Sequence, residues 1–297
     1  MPVDWNISAE DLQHWNIVSC WHILQHNFQG FFPDFPLGSL QSLRVSSTSF
    51  SGAFPHSIGN IRNLSELDLS YCRFNGTLPN SLSNLTQLSY LYLSHNNFTG
   101  QIPSSHFEGL NNLIYIDLIY NSISGSIPSS LFTLPQLEEI RLSHNQFGQL
   151  HELTNMSSSK LNFLDLSSNN LQGSFPTSIY QLSRLSILIL SSNKLNGTMY
   201  LNKLSELRNL NTLELSYNNL SIDVNVTNAD PSYFPSINYL NLASCNLKTF
   251  PGFLRNHSRI ASLDLSNNHI QGIVPNWIWK LKNIQILNIS LSDRTPP

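Results

Sequence analysis

The chain has 297 residues, which is enough for one long domain or two ordinary ones. Its 15 Lys and Arg residues against 18 Asp and Glu residues give a net charge of −3, and this balance disfavours nucleic acid as a partner. A hydrophobic fraction of 40% excludes a disordered chain, and three cysteines are too few for a disulfide-dense scaffold.

The first 17 residues are predicted to be an atypical N-terminal segment that precedes any repeat. Their sequence, MPVDWNISAED and the following six residues, contains acidic residues and no apolar run. We therefore expect neither a secretory signal peptide nor a cap with a cysteine pair in this segment. A degraded repeat is predicted to start near Val18, and it carries NFQGFFP at residues 27–33.

From Leu40 onward the chain repeats the frame LxxLxLxxNxLxGxIP. Successive units start 23 to 27 residues apart, at Leu40, Leu64, Leu88, Leu113, Leu137, Leu161, Leu185, Leu210, Ile237, Ile260 and Ile284. Residues 18–292 are thus predicted to form one array of about eleven 24-residue units, the last of them incomplete, and residues 293–297 a tail.

Each part of the frame predicts a local structure. The LxL alternation is typical of a short strand with Leu inward, and stacked units place these strands in a parallel sheet. The Asn at the ninth position, as in Asn96, is expected to point inward and to bond the backbone of neighbouring turns. After the GxIP segment, a stretch such as Ser178–Leu182 is expected to form a short helical turn with two inward apolar residues. The predicted fold class is α/β, a right-handed solenoid with a parallel concave sheet and short helical turns on the convex side.

The LxGxIP frame resembles the plant-specific variety of leucine-rich repeat. The runs SIPSSLFTLPQLEEIRLSHNQF, LASCNLKTFP and GIVPNWIWKL resemble the extracellular repeats of plant receptor-like proteins, in particular those of the Verticillium-wilt resistance type. This resemblance implies the ectodomain of a cell-surface immune receptor at the plasma membrane, anchored by one helix and acting through a partner receptor kinase. Because the chain shows neither a signal peptide nor a membrane helix, we expect it to be a fragment of such a receptor.

The sequence contains no motif for catalysis, and we expect no enzyme activity, no cofactor and no metal site. A column of carboxylates at the fifth repeat position is interpreted as a solvated stripe; it comprises Asp68, Asp117, Asp165 and Asp264. His95 and His144 lie two units apart, about 10 Å, which is too far to share a zinc ion, so we interpret them as surface histidines. Cys72 and Cys245 are expected to be buried thiols at inward positions.

The candidate ligand-binding site is the concave face of the central units. Strand positions 3, 5, 7 and 8 are predicted to face solvent there, and they carry aromatic residues and Arg, which are the residue types that anchor interfaces. The candidate residues are Tyr71, Tyr90, Tyr92, His95, Tyr115, Ile119, Tyr120, Arg141, His144, Phe163, Ile187 and Ile189. The alternative interpretation is that strands simply favour Tyr and Ile.

Eleven N-glycosylation sequons of the form N-x-S/T are scattered along the chain. They start at Asn6, Asn63, Asn75, Asn84, Asn97, Asn155, Asn196, Asn219, Asn225, Asn256 and Asn288. Between Leu40 and Asn283 none falls on an outward strand position, which agrees with a concave face kept open for a ligand.

The leading functional hypothesis is a non-enzymatic recognition scaffold that binds a protein, peptide or glycan ligand. A soluble inhibitor of a pathogen wall-degrading enzyme, similar to polygalacturonase-inhibiting proteins, is the first alternative. Those proteins share LxGxIP but carry capping cysteine pairs. A truncated product without function is the second alternative.

Overall fold

The computed structural model describes residues 39–153, 159–223, 235–257 and 259–290. The predicted N-terminal segment, the degraded first repeat with Cys20, the tail, and the sequons at Asn6, Asn155 and Asn225 lie outside the described residues. The chain divides into two compact units, residues 1–146 and residues 147–297. Each unit is built from repeats that contribute one strand to a main sheet and, in most cases, one strand to a second sheet.

In the first unit, the described residues form a main sheet of parallel strands, one for each repeat. The strands are Ser42–Arg44, Glu66–Asp68, Tyr90–Tyr92, Tyr115–Asp117 and Glu139–Arg141. Neighbouring strands pair in register, so Tyr90 lies between Glu66 and Tyr115. The central residue of every strand points into the core and is buried, as the LxL alternation predicts.

A second parallel sheet, which the repeat frame did not predict, follows the first in each repeat of this unit. It contains Ser51–Ala53, Arg73–Gly76, Asn97–Gln101 and Ser122–Ser126. In the last three of these strands the residue at position 11, Phe74, Phe98 or Ile123, is buried and anchors the strand to the core. Glycine is required at position 13, because φ there is positive; at Gly100 φ is +78° and a Cβ would lie 2.6 Å from the Thr77 side chain.

The second unit repeats this arrangement. Its main-sheet strands are Phe163–Asp165, Ile187–Ile189, Thr212–Glu214, Tyr239–Asn241, Ser262–Asp264 and Ile286–Asn288, paired in parallel from first to last. Further strands are Gln146–Gln149, which starts at the last residue of the first unit, Gln172–Ser174 and Lys194–Asn196, and a separate pair, Thr198–Tyr200 and Ser221–Asp223.

The helical segments are short 3₁₀ turns rather than α-helices. They are His56–Asn60, Asn80–Asn84, Ser104–His106, Ser129–Thr133, Thr177–Gln181, Leu201–Glu206, Gly252–Asn256 and Ile278–Lys280. Most of them follow the Pro of GxIP or its equivalent, which ends the preceding strand. Ile179 and Leu182 are buried, as expected for the inward residues of this turn. The prediction of an α/β leucine-rich repeat solenoid is confirmed.

Inward asparagines at the ninth position connect each repeat to its neighbours. Asn96 accepts a hydrogen bond from the Phe74 amide at 3.0 Å and donates one to the Leu69 carbonyl at 2.8 Å. The same pair of bonds recurs at Asn121, Asn145, Asn193, Asn218 and Asn268. Where the frame has Cys72 instead, the thiol donates to the Val45 carbonyl at 3.2 Å. The amides thus satisfy backbone groups that the turn leaves unpaired inside the core.

Candidate ligand-binding surface

The residue at repeat position 8 has a left-handed backbone conformation in every described repeat from Leu40 to Ile260. Its φ lies between +51° and +59° at the ten residues Ser47, Tyr71, His95, Tyr120, His144, Ser168, Ser192, Tyr217, Ser244 and Asn267. This conformation is uncommon for residues with a side chain. It turns the chain sharply out of the strand and projects the side chain at position 8 beside its counterpart in the next repeat.

Four position-8 side chains of the first unit form a continuous stack, which we call the aromatic ladder: Tyr71, His95, Tyr120 and His144. The ring centroids of Tyr71 and His95 are 4.1 Å apart, those of His95 and Tyr120 are 4.5 Å apart, and those of Tyr120 and His144 are 4.1 Å apart. The interplanar angles are 14°, 26° and 9°. Each ring covers the face of the next, so the ring edges with their OH and NH groups are left toward solvent.

The interpretation of His95 and His144 as surface histidines is therefore incomplete. Tyr120 lies between the two imidazoles and contacts both of them. Because the strand spacing of about 4.8 Å is close to the ideal stacking distance, aromatic residues at this column stack without displacement of the backbone.

A second group, the tyrosine cluster, occupies the main-sheet strands of the same unit and consists of Tyr90, Tyr92, Tyr115 and Arg141. The ring of Tyr92 is 6.4 Å from that of Tyr90 and 4.9 Å from that of Tyr115. The Arg141 guanidinium carbon lies 5.7 Å from the centre of the Tyr115 ring, which is within cation–π range. The structure therefore brings together two groups of predicted site residues in the first unit.

Ion pairs lie on both sides of the tyrosine cluster. Arg141 contacts Glu139 at 3.2 Å, and Arg44 contacts the Glu66 carboxylate at 2.7 Å. Burial raises the pKa of the Tyr115 phenol to about 12, and nearby Asp117 contributes to the increase. The pKa of Tyr92 is also raised, by burial first and then by Glu66. Both phenols therefore remain neutral at physiological pH and can donate a hydrogen bond to a ligand.

The aspartates at position 5 are structural rather than a solvated stripe, which corrects our interpretation of that column. Asp117 is half-buried and accepts a hydrogen bond from the Ile119 amide at 2.9 Å. The amides of Ser70, Ser167 and Ser266 donate in the same way to Asp68, Asp165 and Asp264, at 2.8–3.0 Å. Each carboxylate thereby stabilises the turn that ends its strand.

The pKa of Asp117 is raised above its ordinary value of 3.8, because burial disfavours the carboxylate. The folded protein thus binds this proton more tightly than the unfolded chain. Its stabilising contribution is complete below the ordinary pKa and is lost as the pH rises through the pKa of the folded state. We therefore expect Asp117→Asn to become increasingly stabilising relative to the parent as the pH rises from 4 to 7.

Urea unfolding of the parent and the Asp117→Asn variant at several pH values measures this difference directly. Asn is compatible with the turn, because Asn241 occupies position 5 naturally and accepts the Ala243 amide at 3.3 Å. If the stability of Asp117→Asn relative to the parent stays constant or decreases with increasing pH, the pKa of Asp117 is not raised in the folded protein.

Position 7 is the point at which the prediction of outward positions is wrong. Ser94, Ser143, Ser216 and Ser266 are buried there, and Ile119 is half-buried. The left-handed residue at position 8 bends the chain over position 7, so small side chains at this position are enclosed. Ile119 therefore contributes less surface to a ligand than the sequence pattern predicts.

The remaining predicted site residues, Phe163, Ile187 and Ile189, lie on the main-sheet strands of the second unit. Each is half-buried, and each points out of the sheet. Sequence reasoning missed two exposed tyrosines of this unit, Tyr217 at position 8 and Tyr239 at position 3. Repeat positions 3 and 8, which identify the aromatic residues of the central repeats, also identify these two tyrosines in the later repeats.

The described sequons lie mainly away from the main-sheet strands. Six of their asparagines are exposed: Asn63, Asn75, Asn84, Asn97, Asn196 and Asn219. Asn75 and Asn97 are register partners in the second sheet. The exception is Asn288 on the last main-sheet strand, where its amide donates to Asp264 at 3.1 Å. Glycans at the six exposed positions would leave the aromatic face of the first unit uncovered.

Cys72 and Cys245 are buried and free, and burial raises the pKa of the Cys245 thiol to about 12. In the described ranges, His, Cys, Asp and Glu side chains form no group of three or more that could hold a metal ion. Among the helical segments within those ranges, none has the length and apolar character needed to cross a bilayer.

Comparison with known proteins agrees with this architecture. The family described as Leucine rich repeat matches residues 38–98, 96–147 and 235–292, and a further repeat matches residues 160–182. Receptor-like protein 49 of Arabidopsis thaliana is 44% identical over 90 residues, which are 30% of this chain and 10% of that protein. Receptor-like protein 7 of the same plant is 38% identical over 90 residues, 30% of this chain and 9% of that protein.

Solved structures extend the similarity to most of the chain. The plant peptide hormone receptor RGFR1, in complex with RGF2, superposes with a TM-score of 0.73 at 27% identity, covering 89% of this chain and 46% of the receptor. A TDR receptor superposes with a TM-score of 0.68 at 27% identity, covering 89% of this chain and 50% of that receptor. The matched stretch spans about one tenth of the curated relatives. The chain belongs to the leucine-rich repeat family, and its repeats are of the kind found in plant receptor-like proteins.

Proposed function

We propose that this chain is a non-enzymatic recognition module, the repeat portion of a plant cell-surface receptor-like protein. In this proposal it binds a peptide or a peptide segment of a protein through the tyrosine cluster and the aromatic ladder of the first unit. The observation that carries the proposal is that the side chains within each group contact one another. Tyr71, Tyr90 and Tyr120 expose between 39% and 57% of their surface, whereas large exposed aromatics are usually dispersed.

The geometry favours a peptide over a glycan. Sugars bind aromatic side chains by stacking on ring faces, but the ring faces of the aromatic ladder already cover one another. The ring edges offer hydrogen-bond donors and acceptors, and neutral Tyr92 and Tyr115 add apolar surface beside Arg141. Such a mixture suits peptide backbone and side chains.

The solved relatives support the same class of ligand. RGFR1 was solved with RGF2, and the receptor kinase HAESA was solved with the peptide hormone IDA and the co-receptor SERK1; HAESA superposes with a TM-score of 0.62 at 28% identity. By this likeness we also propose an extracellular position at the plasma membrane and a partner receptor kinase for the receptor to which these repeats belong. Membership of the Verticillium-wilt resistance type remains a prediction.

Replacing Tyr92 or Tyr115 with Ala is expected to weaken ligand binding by about 2 kcal/mol, roughly thirtyfold, because each ring is a central anchor that excludes water. Ligands would be selected from a displayed random peptide library with the parent protein. Their dissociation constants would then be measured for each variant.

Ser192→Ala is the matched control, since Ser192 is exposed at the outward position 8 and should affect binding little. Ser266, a serine at position 7 of another repeat, is buried and therefore unsuitable as a control. Trp279 is an exposed side chain on the 3₁₀ turn Ile278–Lys280, away from the main-sheet strands. If both Tyr variants bind as the parent does while Trp279→Ala abolishes binding, the ligand lies elsewhere and the proposal is wrong.

A further inference from the structure

An apolar strip lies on the outward face of the main sheet in the second unit, formed by Phe163, Ile187 and Ile189. Phe163 is the register partner of Ile187, and Ile189 follows two residues later on the same face of the strand. All three side chains are half-buried, so part of their apolar surface still faces solvent. On one side, Thr212 is the register partner of Ile187 and limits the strip.

Two carboxylates flank this strip at a defined separation. Ile189 is the register partner of Asp165 on one side and of Glu214 on the other. The two acids are thus two strand spacings apart, about 10 Å. Asp165 uses one oxygen to accept bonds from the Ser167 amide and hydroxyl, at 2.9 and 2.6 Å.

The Glu214 carboxylate has neither a hydrogen bond nor an ion pair among the residues that the structure describes. Burial raises its pKa, and the negative charge of Asp165 adds to that increase. A cation placed beside Glu214 would relieve both effects, because it would favour the charged carboxylate.

The charge balance of this face differs from that of the first unit. There, Glu66 is paired with Arg44, and Glu139 is paired with Arg141. On the six main-sheet strands of the second unit, the charged side chains are Asp165, Glu214 and Asp264, all of them acidic. The apolar strip is therefore bordered by negative charge that the strands themselves leave uncompensated.

We propose that this face binds an extended basic peptide segment with two cationic side chains three residues apart, Lys or Arg at both positions. In a polyproline II conformation, residues three apart lie on the same face and about 9.3 Å from each other, since each residue advances the chain by about 3.1 Å. This separation matches that of the two carboxylates. The segment would cross the strands, with its cations at Asp165 and Glu214 and the aliphatic stems of these two side chains on the strip.

This inference rests on the proposed recognition function but concerns the second unit alone. It requires both charge and hydrocarbon from the ligand, because the carboxylates border the apolar strip rather than a polar pocket. A small polyamine supplies the charge without a backbone that fixes the separation of its cations, and it should bind much more weakly.

The test uses fluorescently labelled synthetic peptides and the full chain at low ionic strength. One peptide carries two lysines separated by two apolar residues, and a second has the same composition with the lysines adjacent. We expect the spaced peptide to bind at least threefold more tightly. The substitution Glu214→Gln should weaken its binding about fivefold, as for loss of a partly buried charge pair, and added salt should weaken the parent complex.

Asp264→Asn is the matched control. Asp264 occupies the same column and accepts the Ser266 amide at 2.8 Å, but its second oxygen already accepts a bond from the Asn288 amide at 3.1 Å, and its register partners are both Asn. We expect no change in binding of the spaced peptide. Both substitutions are nearly isosteric, and circular dichroism verifies the fold of each variant.

The inference is overturned if the spaced peptide does not bind, if the two peptides bind equally, if Asp264→Asn weakens binding as much as Glu214→Gln, or if spermidine binds as tightly as the spaced peptide. The proposed function is tested separately, by measuring whether Tyr92→Ala or Tyr115→Ala weakens the binding of the library-selected ligands. If they bind while the spaced basic peptide does not, only the present inference fails. If no library ligand depends on either Tyr, the proposed function fails as well.

Discussion

Replacing Asn145 with Ala is expected to lower the free energy of unfolding by about 4 kcal/mol. The Asn145 side chain accepts the Ile123 amide at 3.0 Å and donates to the Leu118 carbonyl at 2.8 Å, in the preceding repeat. It also donates to Leu142 and Ser143 within its own turn. The residue is 7% exposed, so water does not reach these groups. Two orphaned backbone groups at roughly 1–3 kcal/mol each account for the expected loss.

Equilibrium urea unfolding, followed by circular dichroism, measures this effect. Asn170→Ala is the control, because the Asn170 side chain is exposed and accepts a hydrogen bond from Lys194 at 3.0 Å; its loss should cost roughly 0.5 kcal/mol or less. Asn145→Cys should fall between the two, since the thiol at the same position of the second repeat, Cys72, donates to the Val45 carbonyl at 3.2 Å, but sulfur is a weaker acceptor than an amide oxygen. A loss below about 1 kcal/mol for Asn145→Ala would show that the inward asparagines at the ninth position are not required for stability.

Replacing Phe98 with Ala is expected to destabilise the first unit by about 4 kcal/mol, within the range for buried Phe truncation. Phe98 is fully buried, and its ring centre lies 6.2 Å from that of Phe54 and 6.3 Å from that of Phe74. These three rings come from successive repeats and fill the core beneath the second sheet. The cavity left by Ala would be lined by the buried rings of Phe54 and Phe74, and close packing around them limits its collapse.

Phe98→Leu is the matched variant, and we expect it to cost roughly 1–2 kcal/mol because most of the buried volume is retained. Urea unfolding of both variants, with the fluorescence of the chain as a second probe, tests whether the decrease in the free energy of unfolding grows with the volume of the cavity. Equal losses for Leu and Ala would mean that the aromatic contacts, rather than the filled volume, provide the stability.

The amino-acid sequence was sufficient to predict the repeat, the parallel strands, the inward residues and the bonding role of the ninth position. The reason is that these features depend on local periodicity: in LxL the alternation decides which side chains are buried, as at Leu67 and Leu69, and the solenoid repeats that decision in every unit. Each repeat of a solenoid packs against the repeats that precede and follow it in the sequence. A contact such as that from Asn96 to Leu69 can therefore be predicted from the repeat spacing.

Other features were decided only by the tertiary structure. The left-handed backbone at position 8, which the frame does not signal by a glycine, encloses Ser143 at position 7 and aligns His144 with Tyr120. Whether a carboxylate such as Glu214 is paired depends on the side chains of adjacent strands, about 25 residues away in the chain. Periodicity predicts which residues share a face, but stacking, pairing and burial on that face depend on backbone angles and cross-repeat distances that the one-dimensional pattern does not contain.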